Sequence, residues 1–239
     1  MSFKDSFSQA FLQKDRWQLL LKGFGNTIII TLAAAVLGII IGIVAGAVRA
    51  AYDKNIERMR RRKNASFYLL SFFNFIFKIY ITIIRGTPTV VQLLICYFMI
   101  FSSWRNGVPV AMFAFGLNSG AYVAEIIRGG IMSIDEGQFE AGRSLGFNYT
   151  QTMRYIIVPQ VIKDVLPALM NEFITLFKET SIAGYVGIRD LTKAGDIIRA
   201  TTLQVYLPLL IVAAMYLVIV LLMTYIEGKV ERRLRANER

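Results

Sequence analysis

Long apolar runs separated by short charged clusters set the pattern of this chain. Residues 24–48 carry no charge. As a helix they would rise about 37 Å, enough to cross a bilayer core with some tilt. Five further apolar runs follow, at 65–84, 88–104, 110–127, 164–186 and 205–226, the first interrupted by Asn74 and Lys78. Within the first run Gly38, Gly42 and Gly46 recur at every fourth position, a smooth stripe that admits close helix contact in lipid. The partner of that stripe is either another helix of this chain or a second subunit. Ahead of it, residues 1–23 form a lead-in, where Phe7, Phe11, Leu12 and the Trp17–Leu21 cluster predict an amphipathic helix at the membrane surface. The fold class expected is an all-α membrane protein.

Charge turns these runs into a topology. The net charge of +11 would suit a nucleic-acid partner, but the basic residues collect at the ends of apolar runs, as the positive-inside rule describes. Arg49, Lys54, Arg58, Arg60, Arg61, Arg62 and Lys63 stand against only Asp53 and Glu57 between the first two runs. Lys229, Arg232, Arg233, Arg235 and Arg239 make the tail, residues 228–239, basic as well. Both clusters fall on the cytoplasmic side only if 65–84 does not cross. The expectation is therefore five transmembrane helices in a permease domain of residues 24–227, with 65–84 on the cytoplasmic surface, the N-terminus outside and the C-terminus inside. The length of polar and amphipathic chain before residue 24 does not fit a simple secretory signal.

Composition narrows the chemistry. The chain is 55% hydrophobic and holds no histidine and a single cysteine, Cys96, set among Leu93, Leu94, Ile95, Tyr97 and Phe98. Intrachain disulfides and His/Cys metal sites are excluded, and Cys96 reads as a small buried hydrophobe. A phosphate-cradling Gly-rich loop with Lys-Ser/Thr is absent from the sequence, so catalytic ATP binding, any cofactor, and enzyme activity of the chain alone are not expected.

Between the third and fourth expected spans lies a polar segment, 128–163, that reads as short helices with a turn near Gly146. Pro159 would end or restart a helix there. Within it, Glu140-Ala141-Gly142, three residues, Gly146, nine residues, then Ile156 and Val158-Pro159 resemble the EAA signature of ABC import permeases. Gly142 stands where that signature has its second alanine, a change expected mainly to weaken helix propensity by up to about 1 kcal/mol. Leu20-Leu21-Lys22-Gly23 through Asn26-Thr27, Arg85-Gly86-Thr87-Pro88, Asn118 to Glu125 and Lys178-Glu179-Thr180-Ser181 are similar to stretches of polar amino-acid uptake permeases of the histidine/glutamine/arginine type. The resemblance runs from about residue 17 to 227.

What the resemblance implies is a type I ABC importer-like fold with a cytoplasmic coupling segment at 136–159. Glu140, Ala141, Gly142, Gly146 and Pro159 would couple it to a separate ATPase. The implied partners are a cytoplasmic ABC ATPase dimer, an extracytoplasmic amino-acid-binding protein and a second permease subunit, identical or different, in a bacterial plasma (inner) membrane. A secondary transporter or channel, the main rival, would not require the Glu140–Pro159 spacing. A membrane-embedded enzyme or a purely structural membrane partner fits the residues less well.

Two spans carry polar groups at depths where lipid penalises them. Asn118, Tyr122 and Glu125 share one helical face, and Asn171, Glu172, Thr175, Lys178 and Glu179 form a stripe in the next span. Ionisable groups inside a membrane line a cavity or face a partner. A substrate path through Asn118, Tyr122, Glu125, Lys178, Glu179, Thr180 and Ser181 is expected, Lys178 and Glu179 offering both signs of charge to a zwitterion. Two other readings stay open: Glu125 pairing with Arg128, and an internal ion pair at 178–179. Arg85 is either interfacial or part of the path, with Thr87 expected to cap the helix that begins near Pro88.

Overall fold

The computed structural model describes the backbone of residues 3–62 and 64–236 and the side chains of 5–54, 56 and 64–234. The basic side chains expected at Arg58–Lys63 and at Arg235 and Arg239 lie outside the described residues. Among the described residues the chain is helical, with no strand. The helices are α1 (Phe3–Phe7), α2 (Trp17–Arg62), α3 (Ala65–Arg85), α4 (Thr89–Ile95), α5 (Gly107–Ser133), α6 (Glu136–Ser144), α7 (Tyr149–Thr152), α8 (Val158–Glu179), α9 (Leu191–Thr202) and α10 (Leu207–Ala236).

α2 takes in the end of the lead-in, from Trp17, and continues through the basic cluster as one helix of 46 residues. Arg, Lys, Met and Glu are good helix formers, and no Pro or Gly interrupts 47–62. The basic stretch is thus a helical extension rather than a loop. The apolar stretch 65–104 is divided where Gly86 and Pro88 break it. α3 has 21 residues, and it joins parts of α2, α5 and α10 as a helix long and apolar enough to cross a membrane. Beyond Pro88 the apolar helix Thr89–Ile100 is shorter, about 18 Å of rise against a hydrocarbon core of about 30 Å. α8, at 22 residues, has sufficient length, about 33 Å, and carries the polar stripe.

Internal contacts divide the chain into two units. The first is Met1–Val36, Pro88–Gly116 and Phe173–Gly228. Its cores are Ile30, Leu93, Phe115 and Leu176 with their neighbours, and Phe11, Leu20, Leu191 and Ile198 with theirs. Ala10 and Phe11 of the lead-in are buried against α9, so that face of the lead-in is covered by protein, while Leu12, Trp17 and Leu21 remain exposed. Along α10, Leu210, Leu217, Val218, Leu221 and Leu222 are also exposed, a face suited to lipid.

The second unit is Leu37–Thr87, Leu117–Glu172 and Lys229–Arg239. Here the glycine stripe finds its partner within the chain, on α5. Gly38 faces Ser119 and Gly120, Gly42 faces Val123 and Ala124, and Gly46 faces Ala124 and Ile127. A Cβ at Gly42 would stand 2.5 Å from the Val123 Cβ and 3.0 Å from the Ala124 amide nitrogen, closer than atoms pack. Ala45, Ile81, Ile84, Ala121 and Ala124 form one core of this unit, and Ile134, Ile157, Val161 and Val165 the other.

Candidate functional site

The polar segment after α5 is built by local capping. Asp135 accepts from the Gly137 amide at 2.6 Å and so starts α6. α6 ends in a Schellman arrangement: Gly146 donates to the Arg143 carbonyl at 2.9 Å and Phe147 to that of Gly142 at 3.0 Å. Gly146 has φ +80°, the left-handed conformation expected of the turn. Asn148 and Gln151 form a reciprocal capping box that starts α7, and Pro159 falls in the first turn of α8. Gly142 does more than the propensity argument foresaw. It is buried, and an added Cβ would meet the Thr152 side chain at 2.6 Å. The glycine thereby lets α6 press against α7. Glu140, Ala141, Leu145 and Tyr149 are exposed on this segment. The Glu140–Arg143 pair, at 3.8 Å and largely exposed, adds little.

In the same unit, α5 carries Asn118, Tyr122 and Glu125. Asn118 is buried. The Arg85 guanidinium lies 5.2 Å from the Tyr122 ring centroid, a cation–π contact that joins two of the motif stretches. Glu125 pairs with Arg128 at 2.9 Å, and also with Arg49 of α2 at 2.8 Å. Arg128 in turn reaches Asp53 at 3.3 Å. The Arg49 and Asp53 contacts were not foreseen, because pairing across 76 residues leaves no periodic trace. Ser119 donates to Glu172 at 2.8 Å, so one acidic member of the α8 stripe is engaged with α5. Thr87 donates to the Ile83 carbonyl at 2.8 Å, finishing α3, and Pro88 takes the N-cap of α4. This reverses the expected capping role of Thr87: its hydroxyl serves the helix before it, because the extended backbone at Pro88 separates the two helices.

Lys178, Glu179, Thr180 and Ser181 belong to the first unit, where α8 gives way to a 3₁₀ turn over Thr180–Val186. The Glu179 carboxylate is hydrogen-bonded by the Thr89 hydroxyl and lies within electrostatic reach of Lys178. Thr180 is fully buried; its hydroxyl donates to Phe177 at 2.7 Å and lies 3.5 Å from that of Thr31. Ser181 lines a cleft of about 420 Å³ with Tyr185, Thr192, Lys193 and Asp196. Lys178 and Ser181 line a second, of about 410 Å³, with Thr192 and Tyr216. Lys193 and Asp196 were not singled out from the sequence. They pair at 3.1 Å, and Arg199 binds the same carboxylate at 2.6 Å, holding Asp196 below its ordinary pKa.

The Gly23–Thr27 motif acts on the connection that follows. Asn26 donates to the Arg189 carbonyl at 2.9 Å, and Thr27 accepts from the Leu191 amide at 3.1 Å. A Cβ at Gly23 would stand 2.6 Å from the Asp190 carbonyl oxygen. Asp190 caps α9 through the amides of Lys193 and Thr192, at 2.9 and 3.2 Å. Burial pushes its pKa up, and those amides pull it back.

Residues 65–236 match the family described as binding-protein-dependent transport system inner membrane component. The chain is 36% identical to the arginine transport system permease protein ArtQ of Bacillus subtilis, over 92% of this chain and 94% of that protein. It is 34% identical to the glutamine transport system permease protein GlnP of Escherichia coli, over 91% and 93%. Among solved structures it resembles a chain of an amino acid ABC transporter, with a TM-score of 0.79 and 36% identity, covering 93% of this chain and 98% of that one.

Proposed function

We propose that this chain, which belongs to the family of inner-membrane components of binding-protein-dependent transport systems, is the permease subunit of an ABC importer that carries a polar amino acid. The all-helical, type I importer-like fold and the amino-acid permease relatives support this reading. The observation that carries it is the α6–turn–α7 segment, a capped helix–turn–helix with an exposed face formed by Glu140, Ala141, Leu145 and Tyr149.

In this reading residues 136–159 are the contact for a cytoplasmic ABC ATPase dimer. Glu140 and Ala141 present its exposed face, Gly142, Gly146 and Pro159 set its shape, and hydrolysis takes place in the ATPase. An extracytoplasmic binding protein delivers the amino acid, and a second permease subunit completes the path. The N-terminus is outside and the C-terminus cytoplasmic, with 1–23 as lead-in and 228–239 as a basic cytoplasmic tail. Lys178 and Ser181, lining the second cleft, are the best placed of the substrate-path residues. Glu179 supplies the negative charge, and Thr180 shapes the turn from within. Asn118 and Tyr122 contribute from α5, where Glu125 is held in its ion pairs with Arg49 and Arg128.

Co-purification tests the coupling assignment. Tagged permease from native membranes is expected to bring down an ABC ATPase, and replacing Leu145 and Tyr149 by aspartate is expected to release it without loss of membrane insertion. An ATPase retained at the wild-type level by that variant would refute the assignment.

A further inference from the structure

We propose that Lys54 is a positioning residue for energy coupling, holding the root of the coupling segment to the C-terminal half of α2. The Lys54 ammonium donates to the Ile134 carbonyl at 3.2 Å. That carbonyl directly follows the last residue of α5, where main-chain oxygens have no partner within the helix and a cation is favoured. The same ammonium lies 4.2 Å from the centroid of the Phe139 ring, in the middle of α6, a cation–π distance. Asp135 and Glu136, at the start of α6, act on it electrostatically. One side chain therefore meets the end of α5 and the body of α6 together.

Its neighbours extend the attachment. Asp53 binds Arg128, and Arg49, one turn earlier, binds Glu125, so α2 grips the last three turns of α5 through charge. Below them, Ile134 and Phe139 pack with Ile157 and Val161, where α8 begins. The coupling segment leaves from α5 and returns into α8, and Lys54 ties that root to a third helix. A push on α6 is thus delivered to α2 as well. Arg49, Asp53 and Lys54 all precede residue 65, where the match to the family begins, so the attachment is supplied by a part of the chain outside that match.

This proposal rests on the reading of α6–α7 as the ATPase contact, and the experiment separates the two. The whole transporter, with its ATPase and binding protein, is reconstituted into proteoliposomes, and amino acid carried per ATP hydrolysed is measured with a panel of radiolabelled amino acids. Lys54→Met keeps the apolar stem and removes the charge and the donor. It is expected to assemble, to hydrolyse ATP within about twofold of the wild type, and to lose about fivefold in amino acid carried per ATP, the scale of a charge-assisted contact. Lys54→Arg, which can keep both interactions, is expected to recover at least half of that loss. Phe139→Leu, which leaves the bond to the Ile134 carbonyl, is expected to uncouple less than Lys54→Met and to add little to it, since the cation–π contact is already lost there. Wild-type coupling in Lys54→Met alongside uncoupling in Gly146→Val overturns the proposal alone. Wild-type coupling in both overturns the underlying reading of α6–α7. Failed assembly of Lys54→Met that Lys54→Arg does not restore assigns Lys54 to folding and also overturns the proposal.

Discussion

Substitution of Gly146 separates backbone strain from crowding at the turn that ends α6. The residue has φ +80°, and nothing lies within 4 Å of the place a Cβ would occupy. Any cost is therefore conformational. Alanine in the left-handed region costs about 1 kcal/mol and valine roughly 1–2 kcal/mol or more, whereas asparagine is tolerated there because its side chain bonds locally. A shift of 1–2 kcal/mol moves the turn equilibrium about 5–30-fold. The two hydrogen bonds that close the turn, from Gly146 and Phe147, are what that shift would weaken. Transport per ATP in proteoliposomes is expected to fall in the order Gly, Asn, Ala, Val, with membrane insertion unchanged. Asparagine is larger than alanine, so the order is diagnostic. Coupling that instead tracks side-chain volume, with Asn worse than Ala, would refute the assignment of the loss to backbone conformation.

Three further outcomes are expected. Gly42→Ala, forced against Val123 and the Ala124 amide, should destabilise the protein by about 1–3 kcal/mol, seen as a lower unfolding temperature in detergent; an unchanged midpoint would contradict the packing of α2 on α5. Glu179→Gln keeps an acceptor for Thr89 while removing the charge; uptake should fall with folding intact, most for cationic amino acids if the carboxylate reads the side chain, and wild-type uptake of every substrate would remove Glu179 from the path. A cysteine at Asn64 in a Cys96→Ala background should resist membrane-impermeant reagents in intact cells, and its labelling from outside would overturn the proposed orientation.

Much of the architecture was legible because lipid leaves the chain few choices. A charge-free run such as 24–48 must satisfy its backbone internally, which a helix does, and the turn at Gly146 follows from spacing and the freedom of glycine. Legibility ended where local signals compete or contacts are distant. The cluster Arg49–Arg62 marks a side of the membrane by its charge, but those residue types also favour helix, and α2 runs straight through them. The run 65–104 reads as a surface helix at 65–84 followed by a span at 88–104, yet α3 is the one long and apolar enough to cross and the helix after Pro88 is the short one. Glu125 was readable as a partner of Arg128 at i+3, whereas Arg49 could be found only in three dimensions. The same holds for Gly23 against Asp190, Gly142 against Thr152, and Lys54 beneath Phe139. In each, the signal was a small residue or a charge whose reason lies in another part of the chain.

The most direct test of the account is ATP dependence of uptake. The chain is reconstituted with the ATPase, binding protein and second permease proposed as its partners, and a panel of radiolabelled amino acids is offered with and without ATP, under imposed proton and sodium gradients. The account predicts saturable uptake of a polar amino acid that requires ATP, the ATPase and the binding protein together, and that no gradient can replace. Uptake that proceeds on an ion gradient without ATP would contradict it.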